Sequence, residues 1–259
     1  MPPRKNPQDE TGTIPDLSVV IPVFNESLSV EPFLKDWVSY LEGSGTEFEL
    51  IVVNDGSRDG TARILDNIRK TLPGLRVVHQ LNGGHSQAIR RGYEIAKGRY
   101  VLQVDAGGAY EPSDFPRFWE RRRNHSLILG YRTHRLDSPI RRLLAYCLRR
   151  VLHYLFGVSC QDPNVPFRLF RGEILRTFLP LVPRTSRAVN TLLALHILRD
   201  CPQTVLELPV PYRPRPDGRS RIRLMSLVWY SLKVTREVVG IKLREWIPGG
   251  HPLPLVDRV

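Results

Sequence analysis

Apolar runs of strand length alternate with helical patterns four times in the N-terminal part of the chain. The runs are residues 17–23, 48–53, 75–79 and 100–104. Short links join the segments, which is typical of βαβ units arranged around a largely parallel sheet. With 259 residues the chain is long enough to bury the core of one large α/β domain. Right-handed crossovers would place the carboxyl ends of these strands at one edge of the sheet.

Polar residues stand directly after each of these runs. They are Asn25 and Glu26 after the first run, Asp55 after the second, Asn82 after the third and Asp105 after the fourth. A carboxylate at the end of a buried strand costs desolvation unless a cation or a hydrogen-bond donor meets it. The alternative is a plain surface turn, since Asp before Gly is common there. Because strand ends of a parallel sheet form its ligand crevice, the sequence predicts that these residues gather in one polar binding site.

The chain is strongly basic. It has 38 Lys and Arg against 26 Asp and Glu, a net charge of +12, and residues 117–150 hold ten Arg against two acids. This balance predicts an anionic partner: a nucleic acid, a phosphorylated small molecule or the acidic face of a membrane. The sequence lacks the interleaved aromatic and basic residues expected of a surface that stacks bases, so no nucleic acid partner is predicted.

Cysteine usage and the N-terminal segment bear on location. Cys147, Cys160 and Cys201 have neither metal-ligand spacing nor the even count of a disulfide framework, which favours a reduced, cytoplasmic setting. Residues 1–16 are polar and Pro-rich and are predicted to form a flexible leader rather than a signal peptide. No run of about 18 uncharged apolar residues occurs, so no membrane-spanning helix is predicted.

Three motifs stand in order at residues 20–26 (Val-Ile-Pro-Val-Phe-Asn-Glu), 53–61 (Val-Asn-Asp-Gly-Ser-Arg-Asp-Gly-Thr) and 82–88 (Asn-Gly-Gly-His-Ser-Gln-Ala). Together they resemble the family 2 glycosyltransferases of the GT-A fold, and two further motifs continue the resemblance. Residues 162–171 (Asp-Pro-Asn-Val-Pro-Phe-Arg-Leu-Phe-Arg) and 215–221 (Arg-Pro-Asp-Gly-Arg-Ser-Arg) resemble its branch that includes dolichol-phosphate mannose synthase and bacterial polyprenyl-phosphate sugar transferases. The resemblance implies a Rossmann-like GT-A domain at 17–222, with a mostly parallel central sheet flanked by helices, and an amphipathic helical region and tail at 223–259.

The same resemblance implies an inverting transfer of a sugar from a UDP- or GDP-sugar to a polyprenyl phosphate. The enzyme would lie peripherally on the inner, cytoplasmic face of the cell-envelope membrane. An alcohol acceptor needs a general base, whereas a phosphate monoester, with a second pKa near ~6, is already a dianion at neutral pH. Cations that position the anion therefore matter more here than a base. Another acceptor, such as a glycan or a cell-wall precursor, is the alternative within the family.

The resemblance also assigns residues to the site. Asp105 is the catalytic and metal-binding carboxylate. The donor-binding residues are Pro22, Phe24, Asn25, Glu26, Asp55, Asn82 and Gly84. The acceptor- and phosphate-binding residues are Arg132, Arg141, Arg142, Arg168, Arg215, Ser220 and Arg221. A Gly-Gly turn into a helix N-terminus offers backbone N–H groups to an anion, so the loop 82–86 is expected near the diphosphate; His85 within it is interpreted as a solvated loop residue.

The metal motif departs from the family pattern. Family members carry Asp-x-Asp after the fourth strand and a further ligand two residues on, whereas Gly107 and Ala109 stand at those positions here. A hard divalent cation prefers oxygen ligands, so Mg²⁺ or Mn²⁺ is expected to bind weakly. Three interpretations stay open: weak metal use, Arg side chains that replace the charge, or an inactive relative that acts as a nucleotide-sugar- or membrane-binding scaffold.

Two amphipathic stretches, residues 140–158 and 224–246, carry apolar residues at helical spacing with Arg and Lys nearby. Such a helix usually packs onto the sheet. A basic amphipathic helix can instead lie in a membrane interface with its apolar face down. Because a polyprenyl acceptor would be embedded in the membrane, the sequence favours docking of at least one of these helices on an anionic membrane surface.

Overall fold

Seven β-strands form one sheet in the computed structural model, which describes residues 14–72, 74–107, 109–133, 139–211, 213 and 224–246. The strands are β1 (Leu17–Val23), β2 (Phe48–Asp55), β3 (Leu75–Gln80), β4 (Tyr100–Val104), β5 (Leu127–Thr133), β6 (Phe167–Arg171) and β7 (Val205–Pro211). Their order across the sheet is β3-β2-β1-β4-β6-β5-β7. Paired strands run parallel except at β6, which is antiparallel to both β4 and β5.

Eight α-helices connect and flank the strands within the described residues. They are α1 (Val30–Gly43), α2 (Thr61–Ile68), α3 (His85–Ile95), α4 (Pro116–Arg121), α5 (Pro139–Phe156), α6 (Gly172–Phe178), α7 (Val189–Asp200) and α8 (Leu224–Trp246). The α/β class with a mostly parallel, helix-flanked sheet is thereby confirmed. The sequence did not reveal α4 and α6, which have six and seven residues and are too short to show a helical period.

Three of the four apolar runs form the interior strands β1, β2 and β4 of the sheet. All seven residues of β1 and the last six of β2 are buried. Continuous apolar runs of this kind are expected of parallel strands that are covered on both faces. Strand β3, by contrast, is only partly buried and lies at one end of the strand order. The core therefore centres on β1, β2 and β4, directly beneath the loops that follow them.

The reversed strand β6 adds a second set of loops to the same edge. Phe167, the first residue of β6, pairs with Val104, the last residue of β4. The segment that enters β6 therefore reaches the edge that the chain reaches on leaving β1, β2 and β4. This places residues 162–166 beside Asp105, although they precede their strand rather than follow it.

Helix α5 packs against α8. Of its predicted apolar stripe, Leu152 is buried, whereas Ile140, Leu143 and Cys147 are exposed. The first half of this helix therefore does not pack its apolar residues onto the sheet. Within the described part of the chain, none of the helices combines the length and hydrophobicity of a bilayer-spanning segment.

A carboxylate ties α8 to the rest of the molecule. Glu237 accepts hydrogen bonds from the Ser186 hydroxyl at 2.5 Å and from the Arg187 backbone N–H at 3.0 Å. The carbonyl of Arg187 in turn accepts a hydrogen bond from the hydroxyl of Ser86, in the first turn of α3. Helix α8 is therefore connected, through residues 186–187, to the first turn of α3.

Candidate active site

Three carboxylates meet at one edge of the sheet. Val23 pairs with Asn54, and Val20 pairs with Gln103, so the ends of β1, β2 and β4 lie side by side. Asp55 is the last residue of β2, and Glu26 and Asp105 follow the ends of β1 and β4 by three residues and one residue. Parallel strand ends form the ligand crevice of an open α/β sheet. The gathering that the sequence predicts is therefore present.

The loop after β1 is bound to the loop after β2. Asn25 has a positive φ of 55°, a conformation that is uncommon outside glycine but enriched for Asn. Its N–H donates to Ser57 Oγ at 2.9 Å, and its Oδ1 accepts from the Arg58 N–H at 2.8 Å. The N–H of Glu26 donates to Thr61 Oγ1 at 2.9 Å. The two loops therefore form one unit, and the motifs 20–26 and 53–61 act together.

Two acidic side chains stabilise this unit. The buried Glu26 carboxylate accepts a hydrogen bond from the Ser29 hydroxyl at 2.6 Å. Asp59 accepts from the N–H groups of Ser27 at 3.2 Å and Thr61 at 3.0 Å. Partial burial acts to raise the pKa of Asp59, but the hydrogen bonds from Thr61 and Ser27 together outweigh it and lower that pKa. Asp59 therefore serves the loop as an ionised acceptor.

Asp55 holds the loop that leads into α3. Its carboxylate is 3% exposed and accepts three hydrogen bonds. Oδ1 takes the Gln80 amide at 2.8 Å and the Gly83 N–H at 2.9 Å, and Oδ2 takes the Gly84 N–H at 2.9 Å. The N–H groups of Gly83 and Gly84, which were predicted to lie near the diphosphate, donate to Asp55 instead. For Gly84 this corrects the expected role, because its donor is already used inside the protein.

The other predicted donor-binding residues lie at different depths. Phe24 is 41% exposed directly after β1, and Asn82 is exposed in the loop before α3. Pro22 is buried within β1, where it pairs with Val53. Gly56, with φ of 67°, lets Asn82 approach so closely that a Cβ there would lie 2.7 Å from the Asn82 nitrogen. Phe24 and Asn82 therefore line the rim, and Pro22 shapes the strand beneath it.

Asp105 lies at the rim and is hydrogen-bonded to a buried network of polar side chains. Its side chain is 27% exposed, and Oδ1 accepts a hydrogen bond from the Gln103 amide at 2.9 Å. Gln103 is fully buried and accepts from the Asn190 amide at 2.9 Å, while Tyr93 donates to Asn190 Oδ1 at 3.1 Å. Burial raises the pKa of Tyr93, which keeps its hydroxyl protonated as a donor. This network orients the carboxylate while leaving it in reach of a ligand.

One feature of the sequence indicates this buried network of polar side chains, although the predictions above did not use it. Gln103 is a polar residue inside the apolar run 100–104, two positions before Asp105 and on the same face of the strand. A buried amide needs hydrogen-bond partners, so it predicts a polar layer beneath the carboxylate. The partners Asn190 and Tyr93 come from distant helices and had no sequence signal of their own.

The residues around Asp105 decide how a divalent cation could be held. No three His, Cys, Asp or Glu side chains converge on a common point among the described residues. Gly107 has φ of 122°, a conformation that residues with a Cβ rarely adopt, so the backbone itself disfavours an Asp there. His85 Nε2 lies 3.5 Å from Asp105 Oδ2. A carboxylate and an imidazole fit a divalent cation whose other ligands are diphosphate oxygens and water.

Arg132 and Asp162 form the basic side of the crevice. Arg132, near the end of β5, donates from Nε to Asp162 Oδ2 at 2.7 Å and from a terminal nitrogen to Oδ1 at 3.2 Å. Asp162 is almost fully buried, whereas the Arg132 side chain is 21% exposed. A paired carboxylate fixes the plane of a guanidinium, so Asp162 orients Arg132 at this edge. Arg142, also predicted to bind phosphate, has an exposed side chain on α5.

Arg168 is not at the surface of the crevice, which corrects its predicted role. Its side chain has no exposed area, and its N–H groups donate to the carbonyls of Val165, Asn190 and Pro163. It pairs with Gln103 across the sheet, beneath the rim. Burial lowers the pKa of Arg168, an effect that Tyr93 and other nearby groups oppose. The residue holds the loop 162–166 in place and cannot contact an acceptor.

The remaining predicted residues fall outside what the structure describes. Arg215, Ser220 and Arg221 lie outside the described residues, and the side chain of Arg141 is likewise outside the description. Their assignment to the acceptor or donor phosphates stays a prediction.

The fold matches solved structures. Glucosyl-3-phosphoglycerate synthase from Mycobacterium tuberculosis, in complex with Mn²⁺, uridine diphosphate and phosphoglyceric acid, aligns with a TM-score of 0.66. The sequence identity is 22%, and the alignment covers 90% of this chain and 80% of that chain. At this identity the match shows a shared fold.

Curated relatives match at higher identity. The chain is 31% identical over 220 residues to undecaprenyl-phosphate 4-deoxy-4-formamido-L-arabinose transferase of Edwardsiella ictaluri, covering 83% of this chain and 66% of the relative. It is 29% identical over 198 residues to dolichyl-phosphate beta-glucosyltransferase of Dictyostelium discoideum, covering 68% and 59%. The chain thus spans less than two thirds of the length of these relatives. Residues 18–177, more than half of the chain, match the family described as Glycosyl transferase family 2. The chain belongs to glycosyl transferase family 2.

Proposed function

We propose that this protein is an inverting glycosyltransferase that moves a sugar from a nucleotide sugar to a polyprenyl phosphate. The observation that carries the proposal is that an acidic and a basic side chain, each partly exposed, lie at the same edge of the sheet. Asp105 lies at the rim after β4, and Arg132, paired with Asp162, lies near the end of β5 at the same edge. The relatives named above support a lipid-phosphate acceptor, because both carry such an acceptor in their names.

The donor is a UDP- or GDP-sugar. The fused loops after β1 and β2 give it a rigid wall, and Phe24 and Asn82 are the exposed side chains of that wall. The solved structure with the same fold holds uridine diphosphate, which supports a nucleoside diphosphate here. Rigid loops at strand ends are the usual place for such a ligand in α/β sheets.

The reaction needs no general base on the acceptor side. A dianionic phosphate oxygen attacks the anomeric carbon in line, the bond from that carbon to the nucleoside diphosphate breaks, and the configuration inverts. Arg132, oriented by Asp162, binds the acceptor phosphate and offsets its repulsion from the donor. Asp105, together with His85, would hold a divalent cation, Mg²⁺ or Mn²⁺. When bound, such a cation neutralises charge that develops on the leaving diphosphate.

The acceptor lipid implies contact with a membrane. Helices α5 and α8 present exposed apolar side chains, including Leu143 at 59% and Trp229 at 61% exposure. Arg142 and Arg150 are exposed on α5 as well. Exposed apolar residues beside basic ones suit an anionic lipid surface, with the apolar side chains at the acyl boundary. We therefore place the protein peripherally on the inner, cytoplasmic face of the membrane.

Turnover tests the proposal directly. The protein is incubated with a panel of radiolabelled UDP- and GDP-sugars and vesicles that contain undecaprenyl phosphate, and label is followed into the chloroform phase. Chloroform-soluble product from the wild type and not from Asp105→Asn is expected. Nucleotide binding without product across the panel would contradict the activity and favour the scaffold. Both curated relatives described above are transferases by name, which does not favour that alternative.

A further inference from the structure

We infer that His85 is the second protein ligand of the divalent cation at Asp105, and that it makes the site selective for Mn²⁺ over Mg²⁺. The inference rests on the proposed function only in that Asp105 faces the donor diphosphate. It assigns to this chain an N/O ligand pair in place of the second carboxylate that Gly107 lacks.

The distance between the two side chains suits a shared ion better than a hydrogen bond. His85 Nε2 and Asp105 Oδ2 are 3.5 Å apart. A charge-assisted N–H···O hydrogen bond spans about 2.7–2.9 Å. Two ligands that each lie about 2.1–2.2 Å from one cation are separated by about 3.0 Å in octahedral geometry and about 3.5 Å in tetrahedral geometry. The observed separation therefore leaves room for an ion between the two groups with little movement.

Hydrogen bonds fix the position of both residues. His85 is the first residue of α3, directly after Gly84, whose N–H is bonded to Asp55. Asp105 is oriented by the Gln103 amide through Oδ1, and its Oδ2 lies 3.5 Å from His85 Nε2. Supporting hydrogen bonds of this kind orient metal ligands and raise affinity. His85 is 56% exposed, so a cation reaches it from solvent without any opening of the core.

The backbone explains why the second ligand comes from another segment. At Gly107 the φ of 122° disfavours any side chain, so Asp at this position would be strained. Among the described residues, the imidazole of His85 at the start of α3 lies 3.5 Å from the Asp105 carboxylate. Nitrogen ligands bind first-row transition-metal ions, of which Mn²⁺ is the weakest binder, whereas Mg²⁺ demands oxygen ligands and keeps several waters. A change from two carboxylates to Asp plus His therefore shifts the preference from Mg²⁺ toward Mn²⁺.

Mn²⁺ binding is measured by the loss of the free-ion electron paramagnetic resonance signal, with uridine diphosphate present and no sugar transfer. The wild type, His85→Ala, Asp105→Asn and, as a matched control on α5, the exposed His153→Ala are compared. His85→Ala is expected to weaken Mn²⁺ binding at least ~10-fold and to change Mg²⁺ competition constants less than ~3-fold. His153→Ala is expected to behave as the wild type.

Electron spin echo modulation gives a direct signature of the ligand. Bound Mn²⁺ in the wild type is expected to show ¹⁴N coupling that disappears in His85→Ala. Absence of that coupling in the wild type, or equal Mn²⁺ affinity in wild type and His85→Ala, would overturn the inference. Because neither readout uses turnover, an inactive protein that keeps His85-dependent Mn²⁺ binding would contradict the proposed function alone. An active protein that binds Mn²⁺ without His85 would contradict the inference alone.

Discussion

Two layers of the same edge use the same residue types for opposite purposes. In the buried layer, Asp55 accepts three hydrogen bonds from the loop before α3, and Arg168 donates to three backbone carbonyls. In the exposed layer, Asp105 and Arg132 each have one side held by a polar partner and part of the side chain open to solvent. The buried pair holds the loops in place, and the rim pair is partly exposed to solvent.

The contrast teaches that position at a strand end does not by itself make a carboxylate a ligand. Asp55 and Asp105 both end a buried strand and both stand close before glycines. Their roles differ because the loop after β3 brings N–H donors onto Asp55, while Asp105 meets a side-chain amide and an imidazole. Loss of a rim residue should therefore remove activity, and loss of a buried residue should remove stability.

The largest effect is expected from Asp105→Asn. Loss of the rim carboxylate should lower turnover by about 1000-fold, the upper range for one group that stabilises developing charge. The melting temperature should stay within about 2 °C of the wild type, since no buried partner is left unpaired. Steady-state kinetics and calorimetry on the same preparation check both parts. If Asp105→Asn unfolded, Asp105 would be a structural residue like Asp55, which would contradict the difference between the two layers.

Arg168→Met should act in the opposite way. Removal of a buried cation whose N–H groups satisfy three carbonyls should lower the free energy of unfolding by about 3 kcal/mol. Urea titration followed by circular dichroism measures this change. In the folded fraction, the KM for polyprenyl phosphate should stay near the wild-type value, since Arg168 has no exposed atoms. A raised KM with unchanged stability would restore its predicted role at the acceptor.

Asp55→Ala should lower stability by about 2 kcal/mol, because charge-assisted hydrogen bonds to two backbone amides and one side chain are lost. Hydrogen exchange at the Gly83 and Gly84 amides should accelerate. The same substitution at Asp105 is the matched control and should leave exchange at those amides unchanged. Equal destabilisation by both substitutions would show that the two carboxylates do not differ as described.

Arg132→Ala should raise the KM for polyprenyl phosphate about 10-fold, the loss of one charge-assisted contact. The affinity for uridine diphosphate, measured by calorimetry, should change less than about 2-fold. The exposed Arg63→Ala on α2 serves as the control for loss of one positive charge and should leave both values unchanged. If acceptor and nucleotide binding fell together, Arg132 would not be specific to the acceptor side.

The smallest effect is expected from Gly107→Ala. A methyl group at φ of 122° should cost about 1 kcal/mol of stability through backbone strain. Gly107→Asp should carry the same cost and should not increase Mn²⁺ affinity, because the strained backbone holds the carboxylate out of place. Tighter Mn²⁺ binding by Gly107→Asp would show that the missing carboxylate alone limits the site.

Much of the fold and the place of the site could be predicted from the sequence, since both depend on local patterns. The strands 17–23 and 100–104 were predicted with the bounds that the structure has. The convergence of strand ends followed from the parallel topology. The partners of each side chain could not be predicted in this way. Asp55 is bonded to residues 25–29 positions away, and the burial of Arg168 depends on the reversed direction of β6.

The connection of α8 through Glu237 has a geometric consequence. Glu237 joins the helix to Ser186 and Arg187, and Arg187 is bonded to Ser86, the residue after His85. With α8 docked on a membrane, as proposed above, these hydrogen bonds would hold the mouth of the crevice at a fixed distance from the lipid surface. The distance by which an acceptor phosphate projects from the bilayer would then decide whether it reaches Arg132.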